Sequence, residues 1–215
     1  MAVVSQPFDR GCRVSLPGRL DESLDQFWED DPWQIMMRHN QSGFERNRAF
    51  LNIDGQAFID MSYLTAADSA ADSDGDSRAV AAGDFNSDGR MDLIVRGVGG
   101  GPLKLYENNF PRKHYLKISL HGTKSNRLGI GARLSVWTGK LRQVRELYPN
   151  NSFSSQAPSI AHFGLGNSTA VDRLVIRWPS GAMQEFEQIF ADQHISIREE
   201  SDEIQVVVPG RQSSP

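Results

Sequence analysis

From Tyr115 onward the chain is a series of short runs in which apolar and polar residues alternate. The runs are Tyr115–Leu120, Ile130–Trp137, Leu141–Leu147, Arg173–Trp178, Met183–Glu187 and His194–Arg198, with Ile204–Val208 as a last apolar stretch. Thr138-Gly139-Lys140 and Pro179-Ser180-Gly181 place turn residues between neighbouring runs. A period of two sends successive side chains to opposite faces, so each run predicts a strand with one face against a core. Several short strands at this spacing predict an antiparallel sandwich or barrel.

Upstream lies Asp84-Phe-Asn-Ser-Asp-Gly-Arg-Met-Asp92, which reads D-x-N-x-D-G-x-x-D. Oxygen-bearing side chains recur at positions 1, 3, 5 and 9, with glycine at position 6. Ca²⁺ takes about six to eight oxygen ligands, and one short loop can supply most of them. The predicted ligands are the side chains of Asp84, Asn86, Asp88 and Asp92 and the backbone carbonyl of Arg90. Gly89 permits the sharp turn. The loop is not an EF-hand, because Val95 stands where that motif has its bidentate Glu. Leu93-Ile94-Val95 reads as a strand rather than a helix. With Ala79–Gly83 in front, the pattern predicts strand, metal loop, strand. A solvated Asx-rich turn is the alternative, since Asp, Asn and Gly populate turns without a metal. Asp72-Ser-Asp-Gly-Asp76 is a compressed version with its glycine misplaced, read as part of a polar loop over 65–78. Asp74 and Asp76 become extra ligands if that loop folds back.

Further toward the N-terminus, Ala49–Ile53 and Ala57–Asp60 flank Asp54-Gly55, a hairpin signal. Leu20, Leu24, Phe27 and Trp28 have helical spacing. Asp31-Pro32 looks like an N-cap with proline at the first helical position, opening a second short helix with Trp33, Met36 and Met37.

With 215 residues and 39% hydrophobic content, the chain can bury a real core. No apolar run reaches membrane-spanning length, so membrane insertion is not expected. Met1-Ala-Val-Val-Ser-Gln-Pro-Phe lacks a basic n-region and a long h-region, so no signal peptide is visible. Cys12 is the single cysteine, which excludes an internal disulfide and a Cys-rich zinc site. Residues 68–92 carry seven acidic and two basic side chains, and residues 112–200 carry twelve basic and seven acidic. The basic residues are dispersed and match no nucleic-acid motif, so nucleic acid is not an expected partner.

Two motif sets carry a resemblance. Leu51-Asn52, Gly55, Phe58, the metal loop, Leu93-Ile94-Val95 and Leu105–Asn108 resemble an FG-GAP/VCBS-type repeat. The resemblance implies a calcium loop between strands of a propeller-like blade. Ser125–Arg133, Ser155-Gln156, His162–Gly166, Val171–Arg173 and Arg177–Gly181 resemble an ASPIC/UnbV domain, a module of many bacterial proteins. A propeller needs several blades, and a lone repeat implies a small sheet packed against the neighbouring domain. The expected order is an N-terminal segment (1–47), the repeat (48–110), the ASPIC/UnbV domain (113–199) and a C-terminal strand with a frayed tail (200–215). The expected fold is mainly β: one FG-GAP/VCBS-like repeat packed against an antiparallel sandwich-like domain, with short N-terminal helices. The resemblance also implies an exported or cell-surface protein.

Gly129 and Gly131 are expected to allow a bulge or close backbone approach at a strand start. Gly122-Thr123-Lys124-Ser125 mimics the end of a phosphate loop without its upstream glycine. Arg127, Arg133, Arg173 and Arg177 are candidate partners for Asp172 and Glu146, and Trp137 and Trp178 are expected in the core or at its rim. No nucleophile elbow or metal-binding histidine pair occurs, and His162 is expected to be packed and hydrogen-bonded. The leading functional expectation is a non-catalytic, calcium-binding adhesion or interaction module with a protein or glycan partner. One alternative is a carbohydrate-active hydrolase using distant carboxylates such as Asp172 or Glu146. Another is an assembly domain that docks through the N-terminal helices.

Overall fold

The computed structural model describes residues 47–53, 55–66, 76–98, 103–148, 150–152 and 155–207. The expected N-terminal helices, Val208 at the end of the expected last strand, the expected frayed tail after it and the candidate ligand Asp74 lie outside the described residues. All regular structure within them is β. The first five strands are β1 (Phe50–Ile53), β2 (Ala57–Asp60), β3 (Asp76–Gly83), β4 (Asp92–Val98) and β5 (Lys104–Tyr106). Next come β6 (His114–His121), β7 (Arg133–Thr138), β8 (Leu141–Glu146), β9 (Asn150–Ser152) and β10 (Ser155–Gln156). The series ends with β11 (Ile160–Gly166), β12 (Ala170–Arg177), β13 (Met183–Phe190), β14 (Gln193–Arg198) and β15 (Ile204–Val206). The chain divides into two compact units, Met1–Ala79 with Val95–Lys104 and Val80–Ile94 with Leu105–Pro215.

The described part of the first unit contains the antiparallel hairpin β1–β2, with Ile53 opposite Ala57. Asn52 Oδ1 accepts the Gly55 N–H at 2.8 Å across the turn, where Gly55 has a φ of 72°. Below the turn, Ser62 Oγ accepts the Ala49 N–H, and Asp60 accepts the Ser62 N–H and pairs with Arg48. The Ser62 hydrogen bonds hold the Asp60 carboxyl below its usual pKa, with help from Arg48.

The second unit is a sandwich. One sheet has the order β11-β6-β14-β15 and the other β13-β12-β7-β8. The inward positions of both sheets form one core. Leu116 and Ile118 of β6, Phe163 of β11 and Ile195 and Ile197 of β14 meet Leu134 of β7 and Leu174 and Ile176 of β12, all fully buried. Trp178, just past β12, is also in this core, and its indole N–H donates to Gln184 Oε1. Gly129 and Gly131 precede β7 at φ values of 63° and 92°. A Cβ on Gly129 would stand 2.7 Å from Leu120 Cβ, so close approach is what that glycine permits.

The order of the sandwich departs from the expected all-antiparallel arrangement at one pair. β14 runs parallel to β6, from Gln193 opposite Leu116 to Arg198 opposite His121. The chain leaves β13 in one sheet, turns at Ala191-Asp192 and enters the other sheet between β6 and β15. A parallel pair requires such a crossover. Asp192, at a φ of 60°, donates its N–H to the Tyr115 carbonyl and fixes this corner. The motif stretch His162–Gly166, not among the runs that predict strands, is part of strand β11. Ala161, Phe163 and Leu165 point inward along it, and burial on alternate residues outweighs its two glycines. Ile130–Ala132, expected in a strand, form the turn before β7. The expected polar loop over 65–78 is shorter at its end, because β3 starts at Asp76.

A buried carboxylate closes the far end of the sandwich. Glu199 is 1% exposed. Its Oε2 accepts the N–H groups of Thr123, Lys124 and Ser125 at 2.8, 2.8 and 2.7 Å, and its Oε1 accepts the hydroxyls of Ser125 and Ser180. The Gly-Thr-Lys-Ser stretch that mimics a phosphate loop therefore does cradle an anion, and the anion belongs to the chain itself. Burial pushes the Glu199 pKa up, but the hydrogen bonds from Ser180, Ser125 and Thr123 outweigh it and hold the group at about 2.

Candidate functional site

A three-stranded sheet in the order β3-β4-β5 carries the D-x-N-x-D-G-x-x-D loop between β3 and β4. Val80–Ile94 belong to the same compact unit as the sandwich. The loop begins where β3 ends at Gly83 and closes at Asp92, the first residue of β4. Two αL positions make the turn: Ser87 at a φ of 61° and Gly89 at 89°.

The oxygen side chains order the loop by accepting its own N–H groups. Asp84 Oδ1 accepts from Asp88 at 2.9 Å and Oδ2 from Gly89 at 3.0 Å. Asn86 Oδ1 also accepts from Asp88. Asp88 Oδ1 accepts from the Arg90 N–H at 2.9 Å. Asp92, 2% exposed, accepts from Phe85 with Oδ2 and from Asn108 with Oδ1.

Two cationic side chains join this network. Lys117 Nζ of β6 lies 2.8 Å from Asp84 Oδ2, and these side chains are 15% and 2% exposed. The Arg90 guanidinium grips Asp88 Oδ2 and reaches the Phe110 carbonyl at 2.9 Å. Its hydrogen bonds hold the Asp88 carboxyl at a pKa of about 2. Asn86 Nδ2 bridges Asp88 and Glu107.

Gly89 is clamped against the sandwich. A Cβ there would stand 2.2 Å from Cε1 of Tyr115, so only glycine lets the loop lie this close. His162 Nε2 is 2.9 Å from the Gly89 carbonyl, and its ring stacks on Tyr115 with centroids 5.8 Å apart. A carbonyl can only accept, so Nε2 of His162 carries the proton. Burial lowers the His162 pKa, against the hydrogen bond to Gly89 that raises it. Tyr115 and Lys117 alternate on β6 with buried Leu116 and Ile118, which turns both outward to meet the loop.

The predicted ligands Asp84, Asn86, Asp88, Arg90 and Asp92 thus share one loop. Among the described residues, however, no three His, Cys, Asp or Glu side chains converge as a metal-holding group. Each carboxylate oxygen of Asp84, Asp88 and Asp92 has a protein donor. Asp76 opens β3, and its side chain lies outside the description. Lys117, Tyr115 and the loop-facing role of His162 were not read from the sequence. Alternation on β6 was the available signal for Tyr115 and Lys117, but it gives a face and not a partner.

The carboxylates considered for hydrolysis have local duties. Asp172 Oδ2 accepts the Gly139 N–H at 2.6 Å, stapling the β7–β8 turn, and Glu146 stands across from Arg133 at 3.7 Å. Arg173 pairs with Glu185 rather than with either of them. A polar groove of about 480 Å³ is lined by His121, Ser196, Arg198, Ser201, Glu203 and Gln205, with Glu203 its one carboxylate. No helix among the described residues is long and apolar enough to cross a membrane.

Comparison with protein-family models matches ASPIC and UnbV over residues 122–204 and an FG-GAP repeat over residues 77–102. A comparison of the chain with curated proteins finds no match. The ASPIC/UnbV match includes strands β7 to β14, and the FG-GAP match includes the whole of the loop from Asp84 to Asp92. This chain therefore carries an FG-GAP repeat followed by an ASPIC/UnbV domain.

Proposed function

We propose that the chain is a non-catalytic interaction module in which Ca²⁺ orders the FG-GAP loop against the sandwich. The carrying observation is Asp84, a carboxylate 2% exposed that already draws a cation, the Lys117 ammonium, to 2.8 Å. The donor set is also of the right chemistry: hard oxygens only, which suit Ca²⁺ and disfavour softer metals. Asp84, Asn86, Asp88 and Asp92 would hold the ion with their side chains and Arg90 with its carbonyl. Bound Ca²⁺ would neutralise clustered carboxylates, and this chain's own residues would do the rest. Tyr115 and His162 position Gly89, and Asn108 orients Asp92.

The surface offered to a partner is the outer face of β13-β12-β7-β8. There the Trp137 ring lies between the guanidinium groups of Arg142 and Arg173, each 5.0 Å from its centroid. A flat aromatic flanked by cations suits a protein or glycan partner.

Calorimetric titration of the chelator-treated full chain with Ca²⁺ tests the metal reading. Binding heat and a melting temperature that rises with ion concentration as RT ln(1 + [Ca]/Kd) are expected. Replacing both Asp84 and Asp88 by Ala should remove both signals. No heat and no thermal shift in the native chain would sink the reading.

A further inference from the structure

We propose that Lys117 is a built-in counter-ion that Ca²⁺ must displace, so that this lysine sets how tightly the loop takes the ion. The inference rests on the calcium reading above. A buried carboxylate needs a compensating charge, and β6 delivers one to Asp84 from outside the loop. Its place is well defined. Register puts Lys117 between His162 of β11 and His194 of β14 on the outer face of the sheet. Asp84 is held from the other side by the N–H groups of Asp88 and Gly89, so its oxygens are fixed while the ammonium sits on a flexible stem.

A divalent ion on Asp84 and an ammonium hydrogen-bonded to the same carboxylate would be like charges within a few ångströms, where repulsion is strong at reduced dielectric. The mobile partner is the lysine. Its four-carbon stem is partly solvent-exposed, so Nζ can swing to water without disturbing buried Leu116 or Ile118. The loop then closes in two ways: on a protein-supplied cation when Ca²⁺ is scarce, and on Ca²⁺ when it is abundant. Arg90 does not do the same for Asp88 from outside, because it belongs to the loop and follows Asp88 by two residues.

The test compares the wild-type chain with Lys117→Met and Lys117→Arg in Ca²⁺ calorimetry at fixed pH and ionic strength. Tb³⁺ emission sensitised by Tyr115, whose ring lies against Gly89, gives a second readout. Lys117→Met should bind Ca²⁺ about tenfold tighter or more, the scale of one charge-assisted hydrogen bond no longer competing. Its metal-free form should melt lower than wild type, and Ca²⁺ should restore the difference. Lys117→Arg should stay near wild type. If wild type binds Ca²⁺ and Lys117→Met binds it equally or more weakly, the lysine supports the ligand set and the inference falls alone. If neither binds, the calcium reading falls and takes the inference with it. A silent wild type beside a binding Lys117→Met would uphold the competition and overturn calcium binding by the native chain. Should Lys117→Met fail to fold, Lys117→Gln removes the charge while keeping a polar tip.

Discussion

The sandwich and the β1–β2 hairpin are made of similar residues and end very differently. Both alternate or cluster apolar side chains along short antiparallel strands. In the sandwich, Leu116, Phe163, Leu174 and Ile195 are fully buried, because a second sheet covers them. In the hairpin, Phe50 is 58% and Phe58 68% exposed. Its order comes from turn and flank chemistry instead: the Asn52–Gly55 hydrogen bond, the positive φ of Gly55 and the Ser62 hydrogen bonds. A turn can set register, but only a second layer removes apolar area from water, and an isolated two-stranded ribbon is marginal by itself. The FG-GAP loop lies between these cases. Its backbone is ordered by its own Asx residues, and Tyr115, Lys117 and His162 of the sandwich fix where it sits.

Leu174→Ala is the sharpest way to break this comparison. A fully buried leucine should cost about 2–5 kcal/mol in denaturant unfolding of the full chain. An equal loss from Phe58→Ala would erase the distinction between the two regions. Glu199→Gln should come next. It leaves several backbone and hydroxyl donors facing a weaker acceptor, a loss of about 1–3 kcal/mol. The pH dependence gives its signature. Glu199 is held at about 2 against the usual glutamate value of 4.5, so the unfolded chain binds more protons between these limits. Its stabilisation is complete above 4.5 and is lost as pH falls toward 2. Melting curves across that window should fall for wild type and flatten for Glu199→Gln.

Gly89→Ala should cost about 1–3 kcal/mol, since it combines a left-handed φ with a Cβ driven into Tyr115. Hydrogen exchange should rise across 84–92 while the core of β6 and β12 stays protected. Adding Tyr115→Ala should recover part of the loss. A loop that exchanges as before would mean that it does not depend on the sandwich. The smallest effect is expected for Phe58→Ala, within about 0.5 kcal/mol, as for other exposed positions.

Much of the sandwich was legible because alternation is a local signal. The expected runs at 115–120, 141–147, 173–178, 183–187 and 194–198 each coincide with a strand. β11 was hidden because Gly164 and Gly166 look like turn residues, and only burial of Ala161, Phe163 and Leu165 makes the stretch a strand. The parallel placement of β14 was hidden for a different reason. Pairing partners depend on which sheet the chain crosses to, and that is decided by the turn at Ala191-Asp192 and by the core, not by the residues of β14. The same division holds at the loop. The recurrence of Asp84, Asn86, Asp88 and Asp92 around Gly89 fits the local turn geometry that forms.

What the sequence by itself determined is therefore everything that acts over a few residues: the period-two strands, the hairpin turn at Gly55, and the oxygen spacing and glycine of the FG-GAP loop. Side-chain period and turn chemistry are properties of neighbouring residues. The tertiary structure alone decided which charges meet. Lys117 lies 33 residues from Asp84, and Glu199 lies 74 to 76 residues from the N–H groups it binds. Such contacts are set by how two sheets stack on one core, and the shared burial of residues far apart in the chain is the term that no local pattern contains.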